Sequence, residues 1–494
     1  MELRKLIYKI AINQKINFDG NIKVENLCLD SSKCSKNCLF FALKGTNTNG
    51  ELYASSAVKN GAVVVVAEHK IENLNVCQLI VEDARSAMAQ MSANFYYNAH
   101  KKLKIIALVG TNGKTSTAHI LGSILSCANK KVGIIGTNGS FICGEKIEND
   151  MTTPDPIELH KLFYDMSQVG VEYVVMEVSA HAIFLHKLDG IKTECTIFTN
   201  FSQDHLDFFG TMENYKQTKQ SFFSPKWTKC CVINIDDKVG QEILNMTSLP
   251  CITFGIKNPS DIFAVNISMN LKGSEFVVNA FYDVYTIKTN LTCLFNVYNI
   301  LGCIACANFL GITQSAIKKA LTNMPQIAGR FNVIDLKQNF NIIIDYAHTP
   351  ESLKSLFKNI KCLTKTKIIT VFGCPGNRDE LKREIMGEIA GQHSDFCVIT
   401  SDNPQFENSY RIMRQIEQGV YKTKCPYKLI DDREQAIGLA LSLAKAKTTV
   451  LIVGKGVENY QNINGEHIPY SDKKAVENQL LIAKKLKLDS KFLY

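Results

Sequence analysis

The sequence predicts an α/β protein of three domains: a small N-terminal α/β domain (1–98), a central domain with a P-loop-type, mostly parallel sheet flanked by helices (99–326), and a C-terminal Rossmann-like α/β domain (327–494). Three observations carry that expectation. From about residue 103 onward, short apolar runs alternate with helical stretches, the pattern of parallel strands joined by crossover helices. A second series of the same kind runs from about residue 341 to the end. At 494 residues the chain is too long for one core and suits two to four domains.

Within the first domain, 39–43 and 62–67 read as strands and 45–50 as a loop. Strand candidates of the central domain are 104–109, 132–136, 173–178, 196–200, 231–235 and 252–255. Between 264 and 291 polar and apolar residues alternate, as in a short antiparallel section. A linker falls near 325–330, and the last domain offers strands at 341–345, 367–373, 396–401 and 448–453. The polar and Gly-rich motifs stand just after these strands. Ligands of open parallel sheets bind at the carboxyl ends of the strands, so the site is expected where the central and C-terminal domains meet.

Hydrophobic residues make up 46% and charged residues 21%, a globular balance that argues against long disorder. The net charge of +9 is not gathered into the basic stripe of a nucleic-acid binder. The 17 cysteines are scattered, and their abundance as free thiols suits a reducing cytoplasm. Cys303-x-x-Cys306 lies in an apolar segment that reads as a buried helix, not a metal site. The N-terminal stretch has charges inside its apolar run and does not read as a signal peptide. No run of 18 apolar residues suggests a membrane span.

The chemistry begins at Gly110-Thr111-Asn112-Gly113-Lys114-Thr115-Ser116, after a strand and at the start of a helix. Glycines let backbone N–H groups approach phosphate oxygens, and the helix N-terminus favours negative charge. Lys114 is placed to reach the β- and γ-phosphates, and the Thr115 hydroxyl to help hold Mg²⁺. Glu177, at the end of a strand in Met176-Glu177-Val178-Ser179-Ala180-His181, is a candidate Mg²⁺ ligand. His205 sits in the polar turn Asn200-Phe201-Ser202-Gln203-Asp204-His205, followed by Gly210-Thr211-Met212-Glu213-Asn214-Tyr215 and Lys219. Read alone, Lys219 is a surface lysine of a helix.

Together with Thr152-Thr153-Pro154-Asp155-Pro156, these segments resemble the Mur ligase family, in its order and at about its intervals, over nearly the whole chain. The resemblance implies ATP-dependent ligation of a diamino acid to the D-glutamyl γ-carboxylate of UDP-N-acetylmuramoyl-L-alanyl-D-glutamate, with ATP and Mg²⁺ as cofactors. It implies Thr115, Glu177, His205 and Lys219 as metal ligands, Lys219 as its carbamate, and Lys114, Lys219, Glu177 and His205 as the catalytic set. A buried lysine exposes a nucleophilic amine that CO₂ can convert into a hard-metal ligand. The partners implied are the UDP-muramoyl dipeptide and a free diamino acid, met by a cytoplasmic monomer.

By the same resemblance the UDP end is held near Asp30-Ser31-Ser32 and 45–50, with Ser31 matching and Ser32 replacing the family's usual Arg. Thr152, Thr153, Ser179 and Lys187 face the muramoyl peptide, Lys187 standing where Arg is usual. Gly110 to Ser116, Asn296, Asn299, Arg330, Asp345 and His348 surround the nucleotide. An Asn capping a helix start explains the segment around Asn296 equally well. The incoming amino acid falls to Arg378, in Gly373-Cys374-Pro375-Gly376-Asn377-Arg378, and to Asp402, Asn403, Gln405, Gly454 and Glu458. A guanidinium pairs with a carboxylate through two parallel hydrogen bonds. Family members that add meso-diaminopimelate carry Arg where Gln405 stands; two acids without that Arg lean toward L-lysine, with L-ornithine or meso-diaminopimelate as alternatives. Val457 replaces a usual His. Folylpolyglutamate synthetase shares the phosphate loop but lacks the N-terminal segment and the Thr-Thr-Pro element. An inactive sensor of the UDP-muramoyl precursor has no need of Lys114, Glu177, His205 and Lys219.

Overall fold

The computed structural model describes residues 1–45, 48–149 and 151–489, the last seven of these as backbone only. The chain groups into two compact units, Met1–Phe263 with Tyr298–Lys319, and Ala264–Val297 with the chain from Ala320 onward. The strand Ile262–Asn270 and the helix Leu294–Phe309 each run through a boundary.

The first unit holds two sheets. The N-terminal sheet runs in the order Gln14–Ile16, Cys77–Ile80, Ala62–Ala67, Cys38–Phe41, Asn26–Cys28, parallel except for its first pair. The expected strand at 62–67 forms at those residues, and the one at 39–43 forms as Cys38–Phe41. Part of the expected 45–50 loop, Thr46 and Asn47, lies outside the described residues. The helix Ala84–Phe95 starts at Asp83, whose carboxylate accepts from the N–H groups of Arg85 and Ser86.

In the larger sheet of this unit, Lys104–Val109 lies between Cys195–Phe198 and Tyr173–Glu177, all parallel. Val132–Gly136 extends it on one side, Cys231–Asn234 and Cys251–Gly255 on the other. These strands read as continuous apolar runs because both faces are covered, and Ile106, Leu108, Val175 and Ile197 have no exposed surface. Two further strands, Gly139–Ile142 and Glu145–Ile147, add an antiparallel edge that sequence reading did not anticipate. The outer one is exposed throughout and carries charges, as edge strands do.

In the second unit, Gly273–Ala280 and Asp283–Thr289 form the expected antiparallel section. A six-stranded sheet follows in the order Asn332–Ile334, Asn341–Asp345, Thr448–Val453, Lys367–Phe372, Phe396–Ile399, Tyr427–Leu429, antiparallel only in its first pair. Tyr460–Ile463 and Glu466–Pro469 make a separate hairpin. Beneath the strand ends, the fully buried Arg433 donates to both Asp472 oxygens at 2.7 and 2.8 Å and to the Val453 carbonyl at 2.9 Å. Asp472 is the first residue of the helix Asp472–Asp489, so the pair ties that helix to the sheet. No helix among the described residues is long and apolar enough to cross a membrane.

Candidate active site

The strand Lys104–Val109 delivers the chain into the 110–116 loop, and the helix Lys114–Cys127 leaves it. Gly110 lies so close to Thr199 that a β-carbon would strike the Thr199 hydroxyl. Gly113 caps the helix with φ +87°, a left-handed conformation, and a side chain there would also meet Asn299. The neighbouring strand's exit frames the loop: Thr111 N–H donates to the Asn200 carbonyl at 2.8 Å, Asn112 N–H to Asn200 Oδ1 at 3.0 Å, and the Thr199 hydroxyl to the Asn112 carbonyl at 2.7 Å. The expected strand at 196–200 ends at Phe198 because Thr199 and Asn200 make these loop contacts instead.

Two lysines converge on one carbonyl oxygen. Lys114 Nζ donates to the Gly110 carbonyl at 2.8 Å and to that of Thr111 at 2.9 Å, and Lys219 Nζ donates to the same Gly110 carbonyl at 2.7 Å. Lys219 is 1% exposed, so the surface reading of this residue is wrong. Its helix, Met212–Gln220, turns it inward over the Tyr215 ring, 4.6 Å from the centroid. Burial, reinforced by the charge of Lys114, pushes the Lys219 amine well below the usual lysine range. Local sequence missed this because burial comes from the phosphate loop, about a hundred residues away in the chain.

Glu177, also 1% exposed, ends the strand Tyr173–Glu177 and accepts three hydrogen bonds. They come from the Thr115 hydroxyl at 3.1 Å, Thr137 N–H at 2.9 Å and the Thr137 hydroxyl at 3.2 Å. Thr137 was not picked out from the sequence, although it directly follows the strand Val132–Gly136, where ligand-facing residues collect. The Thr137 and Thr152 hydroxyls stand 3.0 Å apart. Thr153 donates to the Glu177 carbonyl at 2.9 Å and accepts from Ser179 N–H at 3.1 Å. Ser179 in turn caps the short helix Ala180–Phe184. The Thr152-Thr153 element, Glu177 and Ser179 therefore form one connected group with Thr115. Ser116 is buried beside them on the same helix.

His205 takes a left-handed conformation, φ +53°, at the start of Leu206–Phe209, its ring 4.7 Å from that of His181 and 3.4 Å from the Asp204 carboxylate. Partial burial lowers the His205 pKa and Lys114 and Lys219 press it the same way, while Asp204 opposes them. Lys187 is 6% exposed and pairs with Asp155 at 2.9 Å. Ser32 serves locally: its N–H and hydroxyl donate to Asp30 at 2.9 and 2.7 Å, and Ser31 carries on the turn, its carbonyl accepting from Asn60.

In the second unit, the Asn296 side-chain amide donates to the Thr292 carbonyl at 2.8 Å from within the first turn of the helix Leu294–Phe309, and in that bond it is not the capping acceptor the sequence also allowed. Asp345 accepts from Phe331 N–H at 2.6 Å and Ala347 N–H at 2.8 Å; the Arg330 guanidinium lies 4.9 Å from the Tyr346 ring centroid, and His348 Nδ1 lies 2.9 Å from the Tyr346 carbonyl. Asp402, Asn403 and Glu458 gather around a residue sequence reading passed over. Lys455, with no exposed surface, donates to Asn403 and Glu458 at 2.8 Å each and stands 4.0 Å from Asp402. Gly454 holds the turn against Asp402. Gln405 is half-buried and left-handed, its N–H bonded to the Asn462 carbonyl of the hairpin. Arg378 is exposed.

The comparisons with known proteins agree along the chain. Residues 23–96 match the Mur ligase family catalytic domain, 108–307 the Mur ligase middle domain, and 329–456 the Mur ligase glutamate ligase domain. The UDP-N-acetylmuramoyl-L-alanyl-D-glutamate–2,6-diaminopimelate ligase of Caldanaerobacter subterraneus subsp. tengcongensis is 41% identical over 96% of this chain and 98% of its own. A Clostridium acetobutylicum protein of that name is 40% identical over the same shares. A solved structure of such a diaminopimelate ligase superposes with a TM-score of 0.69 at 27% identity, covering 98% of this chain and 99% of that one. Folylpolyglutamate synthase from Mycobacterium tuberculosis shares the fold at 15% identity, TM-score 0.63, over 75% of this chain and 92% of its own. By its domains and its full-length relatives, this chain belongs to the Mur ligase family.

Proposed function

We propose that this chain is the ATP-dependent ligase that adds meso-diaminopimelate to the D-glutamyl γ-carboxylate of UDP-N-acetylmuramoyl-L-alanyl-D-glutamate, acting in the cytoplasm as a monomer of three domains divided near residues 98 and 326. The lean toward L-lysine drawn from Gln405 gives way to the names of the full-length relatives, which are diaminopimelate ligases. The observation that carries the ligase reading is the meeting of Lys114 and Lys219 on the Gly110 carbonyl beside the buried Thr115–Glu177 pair.

ATP phosphorylates the γ-carboxylate, the amino acid's α-amine attacks the acyl phosphate, and phosphate leaves. Lys114 neutralises the transferring phosphate, and the 110–116 amides hold its neighbours. Hard oxygen donors at Thr115 and Glu177 suit Mg²⁺, which takes few protein ligands and shares the rest with phosphate and water. Among the described residues no three His, Cys, Asp or Glu side chains form a complete cage. His205 and a carbamylated Lys219 would complete the protein's share, and the ion supplies charge neutralisation for phosphoryl transfer. Ser31 binds the UDP end, and Thr152, Thr153, Ser179 and Lys187 bind the muramoyl peptide. Asn299, Arg330, Asp345 and His348 border the nucleotide. Arg378 takes the amino acid's α-carboxylate, and Asp402, Asn403, Gln405, Gly454 and Glu458 its distal end.

L-lysine stays as a second reading because Gln405 offers no cation to a distal carboxylate. Turnover with meso-diaminopimelate, L-lysine and L-ornithine side by side decides between them, and a preference for lysine overturns the first choice. Phosphate release should require both the UDP-muramoyl dipeptide and the diamino acid, and Lys114→Ala should abolish it. Release with folate and glutamate would instead support a folylpolyglutamate synthetase, and binding without turnover an inactive sensor of the precursor.

A further inference from the structure

The loop that carries Arg378 is tied to the segment that carries Asp402, Asn403 and Gln405 by one carboxylate. Glu407 Oε1 accepts from Asn377 N–H at 2.5 Å and from Arg383 at 3.1 Å, while Oε2 accepts from Arg383 at 2.9 Å. Arg383 has no exposed surface, and its guanidinium also donates to the Pro375 carbonyl at 3.2 Å and to Gln415 at 2.6 Å. Two further bonds run alongside: Gly376 N–H to the Asn403 carbonyl at 2.8 Å, and Phe406 N–H to Asn377 Oδ1 at 3.1 Å. Asn377 is left-handed, φ +53°, a conformation asparagine tolerates better than most side chains but does not seek unaided. The carboxylate thus grips the N–H of the residue immediately before Arg378, and a buried bidentate guanidinium fixes the carboxylate.

We propose that Glu407, locked by Arg383, is a positioning residue for amino-acid recognition: it holds Asn377 left-handed and so sets where Arg378 stands relative to Asn403 and Gln405. This rests on the reading of Arg378 as the group that takes the α-carboxylate. Neither Glu407 nor Arg383 touches the reacting atoms. Their action is transmitted through the backbone of the loop, so it falls on capture of the amino acid and not on phosphoryl transfer.

The test uses the full-length enzyme and steady-state kinetics with the diamino acid varied. Glu407→Gln keeps the shape and one acceptor oxygen but loses the ion pair, and should raise KM for the amino acid about tenfold, the scale of one charge-assisted hydrogen bond. KM for ATP and for the UDP-muramoyl dipeptide should stay within about twofold, a split that general loosening of the fold would not give. Glu407→Asp keeps a counter-charge for Arg383 but draws the carboxylate back from the Asn377 N–H, so it serves if Glu407→Gln does not fold; a severalfold rise in amino-acid KM is expected. Arg378→Ala should raise that KM by itself, and adding either change to it should raise it no further, because residues acting through one group are not additive. Two folded variants with unchanged amino-acid KM, or a full additive effect on top of Arg378→Ala, overturn the proposal. An unchanged KM in Arg378→Ala instead overturns the underlying reading of Arg378, and this inference with it.

Discussion

The phosphate-loop region and the amino-acid region are built in opposite ways. Around the 110–116 loop Glu177, Lys219, Thr115 and Thr153 are buried and interlocked, Glu177 with three donors, Lys219 on the Gly110 carbonyl and Thr153 between Glu177 and Ser179, while His205 stands exposed at the rim. Around Arg378 the groups proposed to take the amino acid sit on loops, with Asn377 and Arg378 exposed and the loop braced by Arg383 and Glu407. Departures from the family pattern spare the residues at the heart of the first region. None falls on Gly110 to Ser116, Glu177, His205 or Lys219; Ser32 and Lys187 depart at the periphery of the first region, and Gln405 and Val457 in the second. A site whose parts interlock tolerates few substitutions, because each one strands a buried partner. A site carried on loops can retune its specificity.

That contrast predicts all-or-none effects in one region and graded ones in the other. Lys219→Ala should lower kcat about a thousandfold or more, the scale of losing an electrostatic element of the transition state, with amino-acid KM little changed. Isotopically labelled bicarbonate should give a carbamate resonance in the native protein that this variant lacks. A mild, KM-only effect would break the comparison at its strongest point. Gln405→Arg should act by degree, lowering KM for meso-diaminopimelate about tenfold while leaving L-lysine no better bound, by restoring a bidentate partner for the distal carboxylate.

A third, smaller effect separates chemistry from stability. His100 and His160 lie with ring centroids 5.1 Å apart, 5% and 1% exposed. Burial, with Lys101 adding to it, lowers His100 to about 4, and burial lowers His160 as well. The folded chain keeps both rings neutral, while the unfolded chain protonates them near 6.5, so stability is whole above that pH and drains away as pH falls toward 4. Melting between pH 7 and 5 should fall by on the order of 5 °C, and His160→Leu should flatten the slope. Smallest of all, Ser32→Ala removes one hydroxyl from the Asp30 turn and should cost about 0.5–1 kcal/mol by denaturant titration without changing catalysis.

The sequence made most of the parallel architecture legible. Strands such as Lys104–Val109 and Thr448–Val453 are apolar on both faces, and the glycines and lysine of the phosphate loop have few other uses in a strand–loop–helix setting. What stayed hidden depends on contacts between distant parts of the chain. Glu145–Ile147 is short, exposed and charged, so no alternation marks it. Lys219 looks solvated beside Lys216 until the fold lays Gly110 against it. Arg383 and Lys455 look like surface cations and are fully buried because their partners arrive from Glu407 and from Asn403. Gln405 shows a further limit: reading specificity from one side chain led to lysine, while the full-length relatives point to diaminopimelate.

The Arg433–Asp472 pair gives the chain's last helix a duty that its surface position conceals. Cutting the polypeptide ahead of Ser471 would leave a guanidinium stranded under the carboxyl ends of the strands, a penalty of about 3–5 kcal/mol for a buried ion without its counterion. Proteolytic trimming at that end would therefore act as an off-switch for the whole terminal sheet, and the loops it supports would loosen before any residue in them had been touched.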